Sequence, residues 1–346
     1  MSFVPSYRWN LTDLEKVDKN HLKVFSCFAC GGGSTMGYKL AGFDVIGANE
    51  IDPKMAWHYK TNHNPKYYYL EDIRVFNKRK DLPTELYGLD ILDGSPPCSS
   101  FSLSGNRAAD WGKKKVFREG QKEQVLDDLF FEFIALAKEL QPKVVVAENV
   151  KGLIMGNAKG YVKQIISEFG SAGYQVQLFL LNAATMGVPQ KRERVFFVCS
   201  RNDLNFSKLK IEFNQKPIVL RDALKGLKDD GIDRSSSKNK HFYDRTKPGS
   251  NFKAIHPRGS LFNSYKLSPN DVSPTILAGI KGAYHWDRMR SLSQEEACAI
   301  GSYPFDYKFL TKTEFGYLIG MSVPPLMAYG LANEIYKQWL KSPILG

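Results

Sequence analysis

The stretch VFSCFACGGGSTMGYKLAGFDVIGANEI, residues 24–51, decides the fold. Its opening VFSCFA is a short run of apolar and aromatic residues with the length and composition of a buried strand. Gly31, Gly32 and Gly33 break the run, YKLAGF has helical character, and DVIGANEI reads as a second strand. The alternation continues through MAWHYKTNH (55–63), YLEDI (69–73) and LDILDG (89–94). Strands alternating with helices build a doubly wound sheet, so the expected fold class is α/β. Ligands of such sheets bind beyond the carboxyl ends of the strands, so the residues that follow each strand are the candidates for chemistry.

The strand at 89–92 runs into Asp93-Gly94-Ser95-Pro96-Pro97-Cys98-Ser99-Ser100-Phe101-Ser102. Two prolines fix φ and stiffen the turn, and their carbonyl oxygens are available to accept from a ligand amino group. Cys98 leaves this turn where a nucleophile would stand. Taken alone the tripeptide is weak evidence, because Pro-Pro is mostly loop punctuation and a cysteine is mostly a small hydrophobe. Two further segments place chemistry at strand ends. VVVAENV (144–150) is a β-branched strand carrying Glu148 and Asn149, and Gln190-Lys191-Arg192-Glu193-Arg194 leads into a strand at 195–198. A thiol, a carboxyl group and an arginine pair are thus expected at sheet edges.

With these residues in order, the chain resembles the C5-cytosine DNA methyltransferases, of the prokaryotic or phage modification type. The resemblance runs from about residue 25 to 331: the glycine-rich start, the Pro-Cys loop, Glu-Asn-Val, Gln-x-Arg-x-Arg, and the late Gly320-Met321-Ser322-Val323-Pro324-Pro325. It implies a Rossmann-like S-adenosylmethionine-dependent methyltransferase fold with a smaller, irregular target-recognition domain. The reaction it implies is methyl transfer to C5 of a flipped-out cytosine in a specific duplex DNA sequence, through a covalent adduct between the cysteine and C6. Cys98 is then the nucleophile and Glu148 the acid at N3. Arg194 faces the cytosine, Arg192 braces the loop, and the Pro97 carbonyl receives the exocyclic amine. The chain departs from the family pattern at Cys30, where glycine is usual, at Ser99, where glutamine is usual, and at Met321, where asparagine is common.

The cofactor pocket has its own chemical logic. Glycines between a first strand and a first helix let a ligand approach the backbone. The dinucleotide fingerprint needs glycine at position 36, which is Met36, so a nicotinamide-dependent oxidoreductase is disfavoured. Glu50, at the end of the second strand, suits ribose hydroxyls, and Asp72 suits an adenine amino group. The resemblance adds Phe28 against the adenine, Ile51 beside the ribose, Ile73 at the purine and Leu129 along the wall. Cys30, Gly31, Gly32, Gly33, Pro96, Ser322 and Val323 complete the expected set. S-adenosylmethionine is the expected methyl donor and S-adenosylhomocysteine the product, with no metal. Cys27-x-x-Cys30 lacks the second ligand pair that a zinc site needs.

Bulk properties agree with this reading. The 346 residues can bury a sizeable core, and 43% apolar with 24% charged residues is ordinary for a globular protein. With no apolar run expected to approach a membrane span and no signal peptide expected, a cytoplasmic, nucleoid-associated protein is expected, or a nuclear one if the source is eukaryotic. Five cysteines, sparse and odd in number, fit reduced thiols. The net charge of +12 is regional: residues 201–290 hold 18 Lys and Arg against 9 Asp and Glu. Such a concentration favours a polyanion, here duplex DNA. A monomer is expected, with a cognate restriction endonuclease acting separately or a phage self-protection role.

Regularity along the chain suggests two domains. Helices are expected at 124–140, ending before Pro142, and at 160–169, with a strand at 174–182. Beyond residue 200 the sequence turns polar and rich in Gly, Ser, Asn and Lys. Residues 1–200 plus 313–346 are expected to form the catalytic domain, and 201–312 the target-recognition domain. Ser293-Gln294-Glu295-Glu296 has the form of a capping box, and 326–340 looks helical. The basic, glycine-containing segment 104–120 would close over DNA. Ser104, Lys113, Lys114 and Lys115 are its candidate DNA contacts. Tyr243, Arg245, Asn251, His256 and Arg258 are unranked candidates for base or phosphate recognition. The competing readings are an RNA cytosine methyltransferase of similar fold and a catalytically silent DNA-binding relative.

Overall fold

A computed structural model describes residues 3–97, 128–155, 159–261, 263–279 and 282–341. The chain divides into two compact units. One comprises residues 18–181, 193–211 and 331–346; the other comprises 1–17, 182–192 and 212–330.

The first unit is organised by a seven-stranded sheet. Its strands are β1 (Lys23–Cys27), β2 (Asp44–Glu50), β3 (Tyr67–Leu70), β4 (Ile91–Gly94), β5 (Val144–Val150), β6 (Tyr174–Asn182) and β7 (Glu193–Arg201). They lie in the order β3-β2-β1-β4-β5-β7-β6. The pairs β1–β2, β2–β3, β1–β4 and β4–β5 are parallel, whereas β5–β7 is antiparallel. The order reverses between β1 and β4, which creates the crevice at which open α/β sheets bind ligands. Both strands that line the crevice carry site residues immediately beyond their ends.

Helices α1 (Gly33–Leu40), α2 (Pro53–His63), α3 (Ile73–Phe76), α4 (Leu129–Leu140) and α5 (Lys159–Ser171) connect the strands. In α4, Leu129, Phe130, Phe133, Ile134, Leu136, Ala137 and Leu140 are buried, a three-and-four spacing that puts one apolar stripe on the sheet. The helix stops at Gln141, which takes a left-handed conformation ahead of Pro142. Phe130 and Phe133 of α4 and Ile165 and Phe169 of α5 share a core with Phe25, Cys27, Leu92, Val145, Ala147, Phe197 and Cys199 of the sheet. Each phenylalanine so buried contributes roughly 1.5–3 kcal/mol. Alternation along β1, β4 and β5 leaves Ser26, Asp93 and Glu148 on the opposite sheet face. The first face packs on α4 and α5, while the other interleaves Ser26, Asp93 and Glu148 with the buried Val24, Ile91, Val144 and Val146.

The second unit has short elements, including three two-residue strands, Ser250–Asn251, Tyr265–Lys266 and Ala283–Tyr284. It contains a buried ion pair: Arg290 donates to both carboxylate oxygens of Glu296 at 2.7 and 2.9 Å. The expected capping box forms, with Ser293 capping the helix Gln294–Gly301 and Glu296 accepting from the Ser293 amide. Residues 315–340 correct one sequence expectation, because by length and composition this stretch is apolar enough to cross a membrane. Of its most apolar 18-residue window 72% is buried, and the helix is interrupted at Ser322 before resuming at Pro325, which is how a core segment behaves.

Candidate active site

The loop after β1 is tightly built. Phe28 and Cys30 both adopt positive φ, 53° and 50°, and Gly32 follows at 85°. A left-handed backbone costs a non-glycine residue roughly 1–2 kcal/mol, so Cys30 occupies a position that suits glycine better. The Cys30 amide donates to Glu50 Oε2 at 2.7 Å, and the amides of Ile51 and Asp52 donate to Glu50 Oε1 at 2.8 and 2.9 Å. Burial pushes the Glu50 carboxyl up, opposed by these three donors. Beneath the loop, His63 donates from Nε2 to the Gly31 carbonyl at 3.1 Å. A Cβ on Gly32 would come within 2.2 Å of that imidazole, so position 32 admits only glycine. Burial pushes His63 down to about 3, which keeps the ring neutral.

The remaining cofactor candidates of this unit have definite partners. Asp72 caps α3 through the Arg74 amide at 2.8 Å, and Arg74 joins Asp72 to Asp128. Ile73 and Leu129 are buried in the core that α4 covers, whereas Ile51 is exposed. In the second unit, Ser322 is buried and receives a hydrogen bond from the Tyr303 hydroxyl, and Val323 is buried beside it in sequence.

The acid and one arginine meet directly. Arg194 Nε lies 2.8 Å from Glu148 Oε1, and both side chains are mostly buried. The antiparallel register brings this about by pairing Val150 with Arg194 and Glu148 with Phe196. Burial pulls the Arg194 guanidinium down while Glu148 holds it up. Asn149 Nδ2 donates to the Pro96 carbonyl at 3.1 Å, fastening β5 to the Pro-Pro turn. Asn149 has no role in the sequence analysis beyond its place at a strand end; the signal for it is a lone amide closing a β-branched run. The Pro96 carbonyl already accepts this bond. Arg192, 2% exposed, donates to the carbonyls of Ile276 and Gly320 within the second unit.

Cys98, Ser104, Lys113, Lys114 and Lys115 lie outside the described residues. Of the recognition candidates, Arg245 and Arg258 are exposed. His256 Nδ1 accepts from the amides of Arg258 and Ser260, so it shapes a turn. Tyr243 is a correction: it is 4% exposed, packs with Phe252 and Met289, and donates to the His285 carbonyl. It is a core residue.

The donor set suits a phosphate-free ligand. Two buried carboxylates, Glu50 and Asp93, stand at the glycine loop and the first turn of α1. A pyrophosphate at that helix start would meet like charge, whereas ribose hydroxyls and a cationic group would not. A sheet of this strand order with acids in place of a phosphate cradle defines an α/β methyltransferase. The chain belongs to the C-5 cytosine-specific DNA methylase family, whose family model matches residues 22–337. It is a DNA cytosine-5-methyltransferase, and members of this family use S-adenosylmethionine as methyl donor.

Among its relatives, the chain is 32% identical to Type II methyltransferase M.FnuDI of Fusobacterium nucleatum, over 91% of this chain and 94% of that one. It is 30% identical to Type II methyltransferase M.NgoPII of Neisseria gonorrhoeae, over 92% and 96%. A prophage-encoded protein of E. coli has a similar fold, with a TM-score of 0.71 at 23% identity over 92% of this chain and 99% of that one.

Proposed function

We propose that this enzyme methylates C5 of a flipped-out cytosine in one short duplex sequence, through a covalent bond between Cys98 and C6. Cytosine C5 is a poor nucleophile until the ring becomes electron-rich. Cys98 adds to C6 as thiolate while Glu148 gives a proton to N3, so the ring electrons gather at C5. S-adenosylmethionine, when bound, supplies an electrophilic methyl on a sulfonium and departs as S-adenosylhomocysteine. Loss of the C5 proton to a base then expels the Cys98 thiolate, and return of the N3 proton to Glu148 restores the ring. Arg194 orients Glu148 and offers its remaining donors to O2, and the Pro97 carbonyl accepts from the exocyclic amine. A base inside a duplex cannot reach such a site, so extrusion is required.

For the cofactor, Glu50 takes the ribose and Asp72 the adenine amine. Phe28, Cys30, Gly31, Gly32, Gly33, Ile51, Ile73, Pro96, Leu129, Ser322 and Val323 complete the pocket. Residues 201–312 recognise the target, Arg245 and Arg258 reach DNA, and Ser104 with Lys113, Lys114 and Lys115 closes on the backbone. The relatives named as Type II methyltransferases support a restriction-modification setting. There the enzyme acts as a cytoplasmic monomer, without a metal, beside a separate endonuclease.

The observation that carries this reading is the pair between Glu148 of β5 and Arg194 of β7, with β5 also holding, through Asn149, the Pro-Pro turn that leads to Cys98. Transfer of labelled methyl to mixed-sequence duplex DNA and to tRNA, with base-resolution mapping of 5-methylcytosine, tests it. Label at one DNA motif, lost in Cys98→Ser, is expected. Label confined to tRNA, or transfer by Cys98→Ser equal to wild type, would overturn it.

A further inference from the structure

Asp93 is a buried acid that the reaction scheme leaves without a role. It is 3% exposed. Its Oδ2 accepts from Ser26 Oγ at 2.8 Å and from Ser34 Oγ at 2.7 Å, and its Oδ1 accepts from Tyr38 Oη at 3.2 Å. Ser26 is in β1 just before the glycine loop, and Ser34 and Tyr38 lie one turn apart in α1. The parallel register pairs Asp93 with Ser26 and Gly94 with Cys27. A single carboxylate therefore joins the strand entering the glycine loop, the helix leaving it, and the strand that leads to Pro97 and Cys98.

Three hydroxyl donors are the arrangement an ionised carboxylate wants, since a protonated one would give up an acceptor site. Among the described residues, the titratable and charged groups facing it are Cys27 of β1, Tyr38 of α1, Tyr59 of α2 and Glu148 of β5. Each of these is an acid, so none of them neutralises the charge. A buried anion beside acids is costly and favours any cation that arrives next to it. The two forms of the cofactor differ in this respect: the donor carries a sulfonium, and the product is a neutral thioether.

We propose that Asp93 biases the cofactor site toward the sulfonium donor over its thioether product, while pinning the first turn of α1 to the strand that leads to Cys98. The inference rests on the cofactor reading above. It makes Asp93 a positioning residue whose charge speeds replacement of spent cofactor by fresh. Burial pushes its carboxyl up to about 6, against the pull of the three hydroxyls. The preference is therefore present in neutral buffer and fades as Asp93 takes a proton.

Equilibrium dialysis with labelled S-adenosylmethionine, competed by S-adenosylhomocysteine, reads the preference directly in wild type and Asp93→Asn. The variant keeps the size and an acceptor oxygen but loses the charge. Its affinity for the donor relative to the product should fall, by up to roughly tenfold where the sulfonium comes within a few ångströms of the carboxylate. Wild type should lose the same preference as the buffer is taken below about pH 6, with the variant flat. The wild-type titration decides the matter even if the variant does not fold. An affinity ratio unchanged by the substitution and by pH, with tight binding of both ligands, overturns the proposal alone. Wild type that binds neither ligand overturns it together with the cofactor reading.

Discussion

The side-chain amide of Asn149 donates to the carbonyl oxygen of Pro96 at 3.1 Å, so the strand that carries Glu148 also holds the turn two residues ahead of Cys98. In the proposed scheme the acid and the turn that precedes the nucleophile are thereby referenced to one strand. Asn149→Ala should release the turn. Single-turnover methyl transfer is expected to fall roughly tenfold to a hundredfold, the scale of a small misplacement of reacting groups. Dialysis with S-adenosylmethionine should show cofactor affinity little changed, and an unchanged transfer rate would remove Asn149 from the scheme.

Glu148→Gln keeps the shape of the acid and removes its proton. Loss of a general acid costs about 100-fold to 10,000-fold, so methyl transfer should drop by that order. A gel-shift assay should show duplex binding retained. Arg194→Lys should not rescue geometry, because a flexible ammonium replaces a planar fork that lies 2.8 Å from Glu148. Arg194→Ala leaves a mostly buried carboxylate uncompensated, and urea unfolding should show a loss of a few kcal/mol, in the range of about 3–5 for a broken buried pair.

Cys30→Gly tests the strain in the loop. Cys30 sits at φ 50°, and glycine adopts that conformation without the Cβ penalty. The variant should be as stable as wild type or more stable by up to about 1 kcal/mol in urea unfolding, with the Glu50 hydrogen bond from residue 30 retained. A clear loss of stability would mean that the Cys30 thiol, which contacts Met55 sulfur at 3.3 Å, matters more than its backbone.

Asp93 also gives ligand-free stability a pH signature. Its carboxyl is raised from 3.8 to about 6 by burial. Between those values the native protein holds a proton that the unfolded chain has released, so this contribution to stability is complete below about pH 4 and is lost as pH rises through about 6. Asp93→Asn lacks this loss. The difference in urea midpoint, variant minus wild type, should therefore shift toward the variant as pH rises through the window, and a difference that is flat with pH would contradict the assignment.

Much of the unit built on the seven-stranded sheet is legible from residue pattern. The strand Val144–Val150 and the strand Tyr174–Asn182 have the bounds that β-branched runs and turn residues imply. The helix that ends at Gln141 was announced by Pro142 and an apolar stripe. These are local signals, because period and breakers act within a few residues. Glu148 and Arg194 were legible as candidates for the same reason, each standing at a strand end.

Other features depended on residues far apart in the chain. Tyr243 reads as a surface aromatic in a polar segment, yet Phe252 and Met289 enclose it. Asp93 reads as the first residue of a turn, yet its role comes from hydroxyls about sixty residues earlier that only the β1–β4 register brings within reach. The strain at Cys30 shows in a backbone angle, which residue type alone does not reveal. By itself the sequence determined the alternation of strands and helices and the chemical identity of the site residues, since both follow from short-range periodicity and side-chain type. Only the tertiary structure decided which polar atoms meet, because strand register and burial fix hydrogen-bond partners across long sequence separations.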